Sequence, residues 1–379
     1  HRESTASRRQ QQALREKLSP VEGVFACKLR KFLIPELFGS VFFGLRIVIL
    51  LSGHRHTVKM KNALEQLKTH TTISADTADY QIIKAFNVTY ATTNPTIIFQ
   101  TATLPQYQQL LKKAVQYGSK HGKTLMEKIE NATDMVHVLF GKNLLAVIPG
   151  KVHIQIDTRL AFDTQASVQR ALKLIQLFAR ENIPKDRVVI KLPSTWESIR
   201  AAEILELDHE VHCNMTTMFS LVQAAACAEA SVYCVAPFVG RIRQWYTNNQ
   251  KELSMDDHPG VVVWTEIFNY MRTFLFKTKV MGAYFLNSEE VGSGAGSEFL
   301  TIPVALLEEL VNNEMPVAKK LSKVAALEIP MEAMQVTEAK FRWLMNEDEM
   351  ATSLLSETIR KFAADCERLE AVVKDMLLA

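Results

Sequence analysis

From residue 73 onward the chain alternates between two textures. Short β-branched or apolar runs stand at 73–76, 88–93, 152–157, 188–192, 211–215, 232–238, 280–285 and 299–302, each of strand length. Between them lie segments with apolar residues at helical spacing, over 104–117, 125–145, 166–181, 196–207, 216–230, 262–276 and 304–313. A further amphipathic turn carrying Val58, Met60, Leu64 and Leu67 precedes the first run and gives out before Thr69, Thr71 and Thr72. Eight strands alternating with helices is the count of a closed (β/α)8 TIM barrel. An open doubly wound α/β sheet is the competitor, but no GxGxxG motif follows the first strand.

Past Ile329-Pro330 the pattern becomes helix only. Thr337 is placed to cap a helix with Phe341 and Trp343, and Asn346 or Asp348 to cap a long one. The long helix carries Leu354, Leu355, Ile359, Phe362, Cys366, Leu369 and Met376 on one stripe, which reads as a packing face. The expected organisation is a barrel over 57–330 with a carboxy-terminal helical attachment over 331–379 packed across it.

Residues 1–56 read differently. The chain opens His1-Arg2-Glu3 and is rich in Arg and Gln to about Lys31. An apolar run over 37–52 follows, broken by Arg46 and preceded by Pro35 and Glu36, short of the roughly 20 residues of a spanning helix. It lies too far from the start for a signal peptide and has no clear small-residue cleavage site. The segment is expected to be a disordered extension or a gene-model artefact, and no membrane anchor is expected.

Charge and cysteine content narrow the function classes. With 44 Lys and Arg against 41 Asp and Glu among 379 residues, composition gives no basic face for nucleic acid. The five cysteines, Cys27, Cys213, Cys227, Cys234 and Cys366, form no CxxC pair and have no histidine ladder nearby. That argues against a disulfide framework and a zinc site, and a reducing, cytoplasmic compartment is expected.

The fourth run, Val188-Val189-Ile190-Lys191-Leu192-Pro193, places one lysine inside an apolar strand. Alternation puts Val189 and Lys191 on one face. If that face looks into a closed interior, the ammonium loses water, its pKa falls, and the neutral amine can attack a carbonyl to form a Schiff base. The alternative is a strand-end lysine whose head reaches solvent.

Barrel chemistry gathers at the carboxyl ends of the strands. Those ends carry Asp76, then Thr92-Thr93-Asn94-Pro95, Gln155 with Asp157, Lys191, His212 and Asn214 with Thr216, and Pro237-Phe238 with Arg241. Each has a structural alternative: Asp76 as a helix cap, Thr92–Pro95 as a turn, Arg241 as a surface cation. Their convergence on one rim points to a Schiff-base lyase or transferase acting on a small carbonyl compound, with no metal.

These residues carry a family resemblance. Ala75-Asp76-Thr77-Ala78-Asp79, Ala91-Thr92-Thr93-Asn94-Pro95-Thr96, Asp157-Thr158-Arg159-Leu160, Ile190-Lys191-Leu192-Pro193-Ser194-Thr195-Trp196, His212-Cys213-Asn214-Met215-Thr216, Pro237-Phe238-Val239-Gly240-Arg241, Phe341-Arg342-Trp343-Leu344 and Ile359-Arg360-Lys361-Phe362-Ala363 together resemble transaldolase, from about Val58 to the carboxy terminus. The resemblance implies Lys191 as the Schiff-base lysine and Asp76 as the acid/base for C3–C4 cleavage. Asn94 and Asn214 are implied as substrate and Schiff-base contacts, and Thr216 as the holder of the catalytic water. Phe238 is implied as the aromatic beside the reaction centre, and Arg241 as one of two phosphate-binding arginines. It further implies sugar-phosphate substrates, with a dihydroxyacetone unit passing from sedoheptulose 7-phosphate to glyceraldehyde 3-phosphate in the non-oxidative pentose phosphate pathway. No cofactor is expected, and homodimerisation enters as an option.

The chain departs from the family pattern at several of its working positions. Gln155 stands where the family has a glutamate that works through water, and an amide has no proton to shuttle. Ala236 replaces a serine, and Tyr284 and Leu286 replace a serine and the second arginine; Tyr90 replaces an aspartate and Ala78 a glycine. Two function classes follow: a transaldolase of reduced rate or altered phosphate preference, and a catalytically impaired paralogue kept for binding or structure.

Overall fold

The computed structural model describes residues 61–249 and 258–379. The amino-terminal extension, Cys27, and Val58 and Met60 of the first amphipathic turn lie outside the described residues. Eight parallel strands close in sequence order: β1 Thr72–Asp76, β2 Tyr90–Thr92, β3 Val152–Gln155, β4 Val188–Pro193, β5 Cys213–Met218, β6 Cys234–Pro237, β7 Lys279–Gly282 and β8 Phe299–Ile302, with β8 paired back to β1. The barrel is therefore closed, as the strand count predicts.

The α-helices, in chain order, are α1 Ala63–Leu67, α2 Pro95–Ala102, α3 Gln108–His121, α4 Leu125–Leu145, α5 Thr164–Arg180, α6 Trp196–Asp208, α7 Leu221–Glu229, α8 Val239–Asn248, α9 Pro259–Thr273, α10 Ser288–Gly292, α11 Val304–Val311, α12 Lys323–Ala326, α13 Glu338–Glu347 and α14 Glu349–Leu378. None of the described helices is long and apolar enough to cross a membrane.

Strand period and register together decide what faces the barrel interior. Asp76 pairs with Thr92, Thr92 with His153 and His153 with Val189, while Gln155 pairs with Lys191, Lys191 with Asn214 and Asn214 with Cys234. Residues opposite one another in register share a face. The other face, with Ile73, Ala91, Ile154, Ile190, Met215, Val235, Val280 and Leu300, is fully buried beneath the helices and forms the hydrophobic core.

Local chemistry sets the helix starts. Thr195 accepts a hydrogen bond from the Ser198 amide to start α6, and Thr124 and Glu127 form a reciprocal capping box on α4. Thr337 caps α13, and Asp348 caps α14 through the Ala351 amide. The apolar stripe of α14 is buried at Leu354, Ile359, Phe362 and Leu369, packed against α2, α3, α4, α8 and β5. The carboxy-terminal attachment thus lies across the barrel.

The structure corrects several element assignments. Thr92-Thr93-Asn94-Pro95 leads from the end of β2 straight into α2, with the Asn94 side chain accepting from the Ile97 amide and Pro95 at the first helical position, where its missing N–H costs nothing. Thr216 belongs to β5: the strand runs to Met218 through an irregularity between Met215 and Met218, with Thr217 at φ 52°, and the following helix starts only after Ser220. Helix α8 was not predicted. His212 lies before the first residue of β5, at the end of the barrel opposite the rim. There it stacks on Tyr233 and contacts Glu206 Oε2 at 3.1 Å, so it is not a rim residue.

Candidate active site

Lys191 is 5% exposed, and its Nζ donates to the Thr93 carbonyl at 2.9 Å. Burial pushes its pKa below the ordinary lysine value, and the nearby Asp76 carboxylate pulls it partway back. For Asp76 the order is the same with the sign reversed. Burial raises its pKa, while Lys191 and the hydrogen bond from Thr92 oppose the rise. Both groups are thereby driven toward their neutral forms, the condition for a nucleophilic amine beside a carboxyl group that exchanges protons. The solvent-reaching alternative for Lys191 is excluded by its burial.

Asp76 is held from the side by a hydroxyl ladder. Thr92 Oγ1 stands 2.6 Å from Asp76 Oδ1 and 2.5 Å from Thr301 Oγ1, joining β1, β2 and β8 across the seam that closes the barrel. Asn214 is oriented by His153, with Nδ2 donating to Nδ1 at 2.9 Å. Burial, followed by the Lys191 charge, pushes the pKa of His153 down to about 3, so the imidazole is neutral and its Nδ1 accepts.

A cavity of about 310 Å³ opens on this cluster. Asp76, Asn94, Lys191, Asn214, Thr216 and Phe238 all line it, so six of the eight expected site residues meet there. Asn214 Oδ1 and Thr216 Oγ1 are buried with no hydrogen-bond partner among the described residues. Two such atoms beside the lysine are the acceptor and hydroxyl that a bound polar molecule would satisfy.

The other two expected residues stand apart. Gln155, opposite Lys191 in register, lines a neighbouring cavity of about 720 Å³ between β3, α4, α5 and α14. It is 1% exposed, and both its amide atoms lack partners among the described residues. Arg241, near the start of α8, is outside the residues that line the smaller cavity. Its Nη2 is bonded to Glu357 Oε1 at 2.9 Å and its Nη1 to Gln244 Oε1 at 3.2 Å, with the guanidinium 5.8 Å from the Tyr284 ring centroid.

The departures at Ala236, Tyr284 and Leu286 all line the smaller cavity. Tyr284 stacks on Phe238 at 5.6 Å between ring centroids and holds a left-handed φ of 55°, a conformation costing about 1 kcal/mol in a non-glycine residue. Leu286 is apolar and exposed at the cavity edge. Residues at the site to which sequence reasoning gave no site role include His153, which holds Asn214, and Thr301, Lys361 and Phe362, which line the cavity. No spacing signal marks them, because strand closure and helix packing bring them to the site. Cys213, Cys227, Cys234 and Cys366 are all free thiols, and no metal-binding group of His, Cys, Asp or Glu occurs among the described residues.

Fold and site together define a (β/α)8 barrel with a buried lysine–carboxylate pair at the carboxyl ends of its strands. A family model described as Transaldolase/Fructose-6-phosphate aldolase matches residues 73–373. The chain is 47% identical over 329 residues to the probable transaldolase of Drosophila melanogaster, covering 86% of this chain and 99% of that protein. It is 46% identical over 321 residues to the transaldolase of Homo sapiens, covering 84% and 95%, and 45% identical over 322 residues to that of Saccharomyces cerevisiae, covering 84% and 96%. The chain belongs to the transaldolase family.

Proposed function

We propose that this family member transfers a three-carbon dihydroxyacetone unit from sedoheptulose 7-phosphate to glyceraldehyde 3-phosphate through a Schiff base on Lys191. The observation that carries this is the buried Lys191–Asp76 pair on the floor of the small cavity. The neutral amine of Lys191 adds to the C2 carbonyl of the ketose, and loss of water gives the imine. Asp76 accepts the proton of the C4 hydroxyl, the C3–C4 bond breaks, the aldose leaves, and the bond's electron pair passes into the imine as an enamine. The enamine carbon then attacks the acceptor aldehyde, Asp76 returns its proton to the new hydroxyl, and water releases the product from Lys191.

Asn94 and Asn214 contact the substrate hydroxyls and the imine nitrogen, Thr216 holds the water, and Phe238 closes the side of the reaction centre. Gln155 occupies the place of the proton relay without an ionisable group, so formation and hydrolysis of the imine are the slow steps. Arg241 belongs to the phosphate end. The domain reading is a catalytic barrel over 57–330 carrying helices 331–379, acting in the cytoplasm in the pentose phosphate pathway, as a homodimer that sedimentation would reveal. The impaired-paralogue alternative gains no support from the relatives, which are transaldolases by name.

Borohydride reduction in the presence of fructose 6-phosphate or dihydroxyacetone, followed by peptide mapping, tests the core of the reading. A reduced adduct on Lys191 that disappears in Lys191→Ala is the expected result. Adduct that persists in that variant moves the chemistry to another lysine.

A further inference from the structure

The larger cavity, about 720 Å³ between β3, α4, α5 and α14, shares no lining residue with the small one. Its volume falls within the roughly 300–1,000 Å³ of small-molecule pockets. Ile129, Ile156, Leu174 and Leu369 give it an apolar lining, and Leu125 and Met126 are exposed at its edge.

Into this apolar space the barrel presents one amide. Gln155 is 1% exposed, and neither its Nε2 nor its Oε1 has a hydrogen-bond partner among the described residues. The buried Nδ1 of His137, on α4, lines the same cavity and is likewise unpartnered among them. Burial pushes the His137 pKa below its ordinary value, with Asp134 opposing, so the imidazole is neutral and Nδ1 serves as donor or acceptor according to its tautomer. Buried polar atoms are costly to leave unpaired, so these groups favour an occupant that pairs with them.

The charges around the cavity say what that occupant is not. Arg170 bridges Asp134 and Glu130 at 2.8 and 3.0 Å, and Arg159 bridges Asp157 and Glu370. Each guanidinium is bonded by two carboxylates, which disfavours a phosphate or any other anion beside it. An ammonium would pair with Gln155 Oε1 and leave the NH₂ group unmatched. A neutral amide edge matches both, donating to Oε1 while accepting from Nε2.

We propose that this cavity is a second small-molecule site, taking a neutral compound with an apolar body and a primary-amide or lactam edge paired to Gln155. The site is separate from the Lys191 chemistry, although Gln155 stands opposite Lys191 in register.

Benzamide is the probe, with ethylbenzene as a control of similar size that has no hydrogen-bonding group. Ligand-observed NMR on the full chain should show saturable benzamide binding, with ethylbenzene at least about tenfold weaker, the loss expected for a pair of buried hydrogen bonds. Gln155→Leu should reverse that order. Ala371→Trp, which places a ring on an exposed lining position of α14, should block both compounds while leaving borohydride trapping of dihydroxyacetone unchanged.

No saturable benzamide binding up to about 10 mM, a weak limit for a fragment of this size, overturns the proposal and leaves the cavity to water. Benzamide affinity equal in the parent and in both variants overturns it as well. Binding that disappears once Lys191 carries the reduced dihydroxyacetone adduct would place the probe in the small cavity and also reject the second site. Failure of trapping in the parent protein bears on the Lys191 reading alone, because the benzamide titrations do not depend on it.

Discussion

Gln155 and Lys191 stand directly opposite each other in register on β3 and β4, yet Gln155 lines the neighbouring cavity while Lys191 sits in the small one. The amide is buried and both of its polar atoms are unpartnered among the described residues. Changing Gln155→Glu places an ionisable group opposite Lys191 in register, where the protonated form of the lysine would favour the carboxylate. Imine formation is expected to accelerate by at least about tenfold, a floor below the usual gain from a positioned acid/base group. Time-resolved borohydride trapping reads this step apart from phosphate affinity. Equal rates in parent and variant would show that Gln155 does no more than fill the barrel layer.

The pH dependence of adduct formation follows from the pair on the cavity floor. Only the neutral amine attacks, so the rate should rise with pH through the folded-state pKa of Lys191, which burial holds below the ordinary lysine value of about 10.4. Asp76 opposes that depression, so Asp76→Asn is expected to move the inflection to still lower pH while suppressing C3–C4 cleavage. A pH profile of trapping by dihydroxyacetone measures the first effect, and release of aldose from fructose 6-phosphate the second. An inflection that rises in Asp76→Asn would contradict the pairing.

The same shifts enter stability with opposite signs. Folded Lys191 binds its proton less tightly than the unfolded chain does, so stability should increase with pH across the window between its depressed pKa and the ordinary value. Asp76 is raised, so its contribution falls as pH climbs from the ordinary carboxylate value through the raised one. Urea midpoints of the parent and Lys191→Met across the alkaline range should therefore converge as pH rises. A gap that widens toward alkaline pH would reverse the assignment.

Glu357 pairs with Arg241, which does not line the cavity, and the Glu357 side chain is 57% exposed. An exposed ion pair of this kind contributes under about 1 kcal/mol, so Glu357→Gln should leave the urea midpoint nearly unchanged. Freed from its partner, Arg241 becomes available to an anion at the barrel mouth. Half-maximal trapping by fructose 6-phosphate should then need about two- to fivefold less substrate, with dihydroxyacetone unaffected. A requirement that rises would show that the ion pair positions Arg241 rather than sequestering it.

The wall of the small cavity offers the complementary test. Leu286 lines the cavity next to Gly240, and its amide donates to Glu290 Oε2 at 2.8 Å. The double change Tyr284→Ser with Leu286→Arg adds a guanidinium at that wall and removes the ring stacked on Phe238. The Michaelis constant for fructose 6-phosphate is expected to fall about tenfold. No change would place the phosphate elsewhere.

The alternation of apolar runs with amphipathic segments was enough to specify the barrel, because period 2 and period 3.6 are properties of the backbone and show wherever one face is buried. The lysine in an apolar strand was legible for the same reason, and strand-end positions sufficed to gather Asp76, Asn94, Asn214, Thr216 and Phe238 on one rim. Pattern misread the helix opened by Asn94-Pro95 and the extended end of β5. A turn signal and a helix cap share the same residues, and Thr217 breaks the strand's regular geometry.

Local pattern also carries no information about which cavity a side chain enters. Gln155 and Lys191 were both placed among the strand-end residues of one rim, and only the packed fold shows the amide lining a second space between β3, α4, α5 and α14. The ladder from Asp76 through Thr92 to Thr301 joins residues more than 200 positions apart and exists because β8 closes on β1. The engagement of Arg241 by Glu357 and the arrival of Lys361 depend on where the last helix crosses the barrel. A chain fixes its own periodicity through contacts a few residues apart, whereas charges that meet across the fold are set by closure and docking, which bring distant segments within a few ångströms.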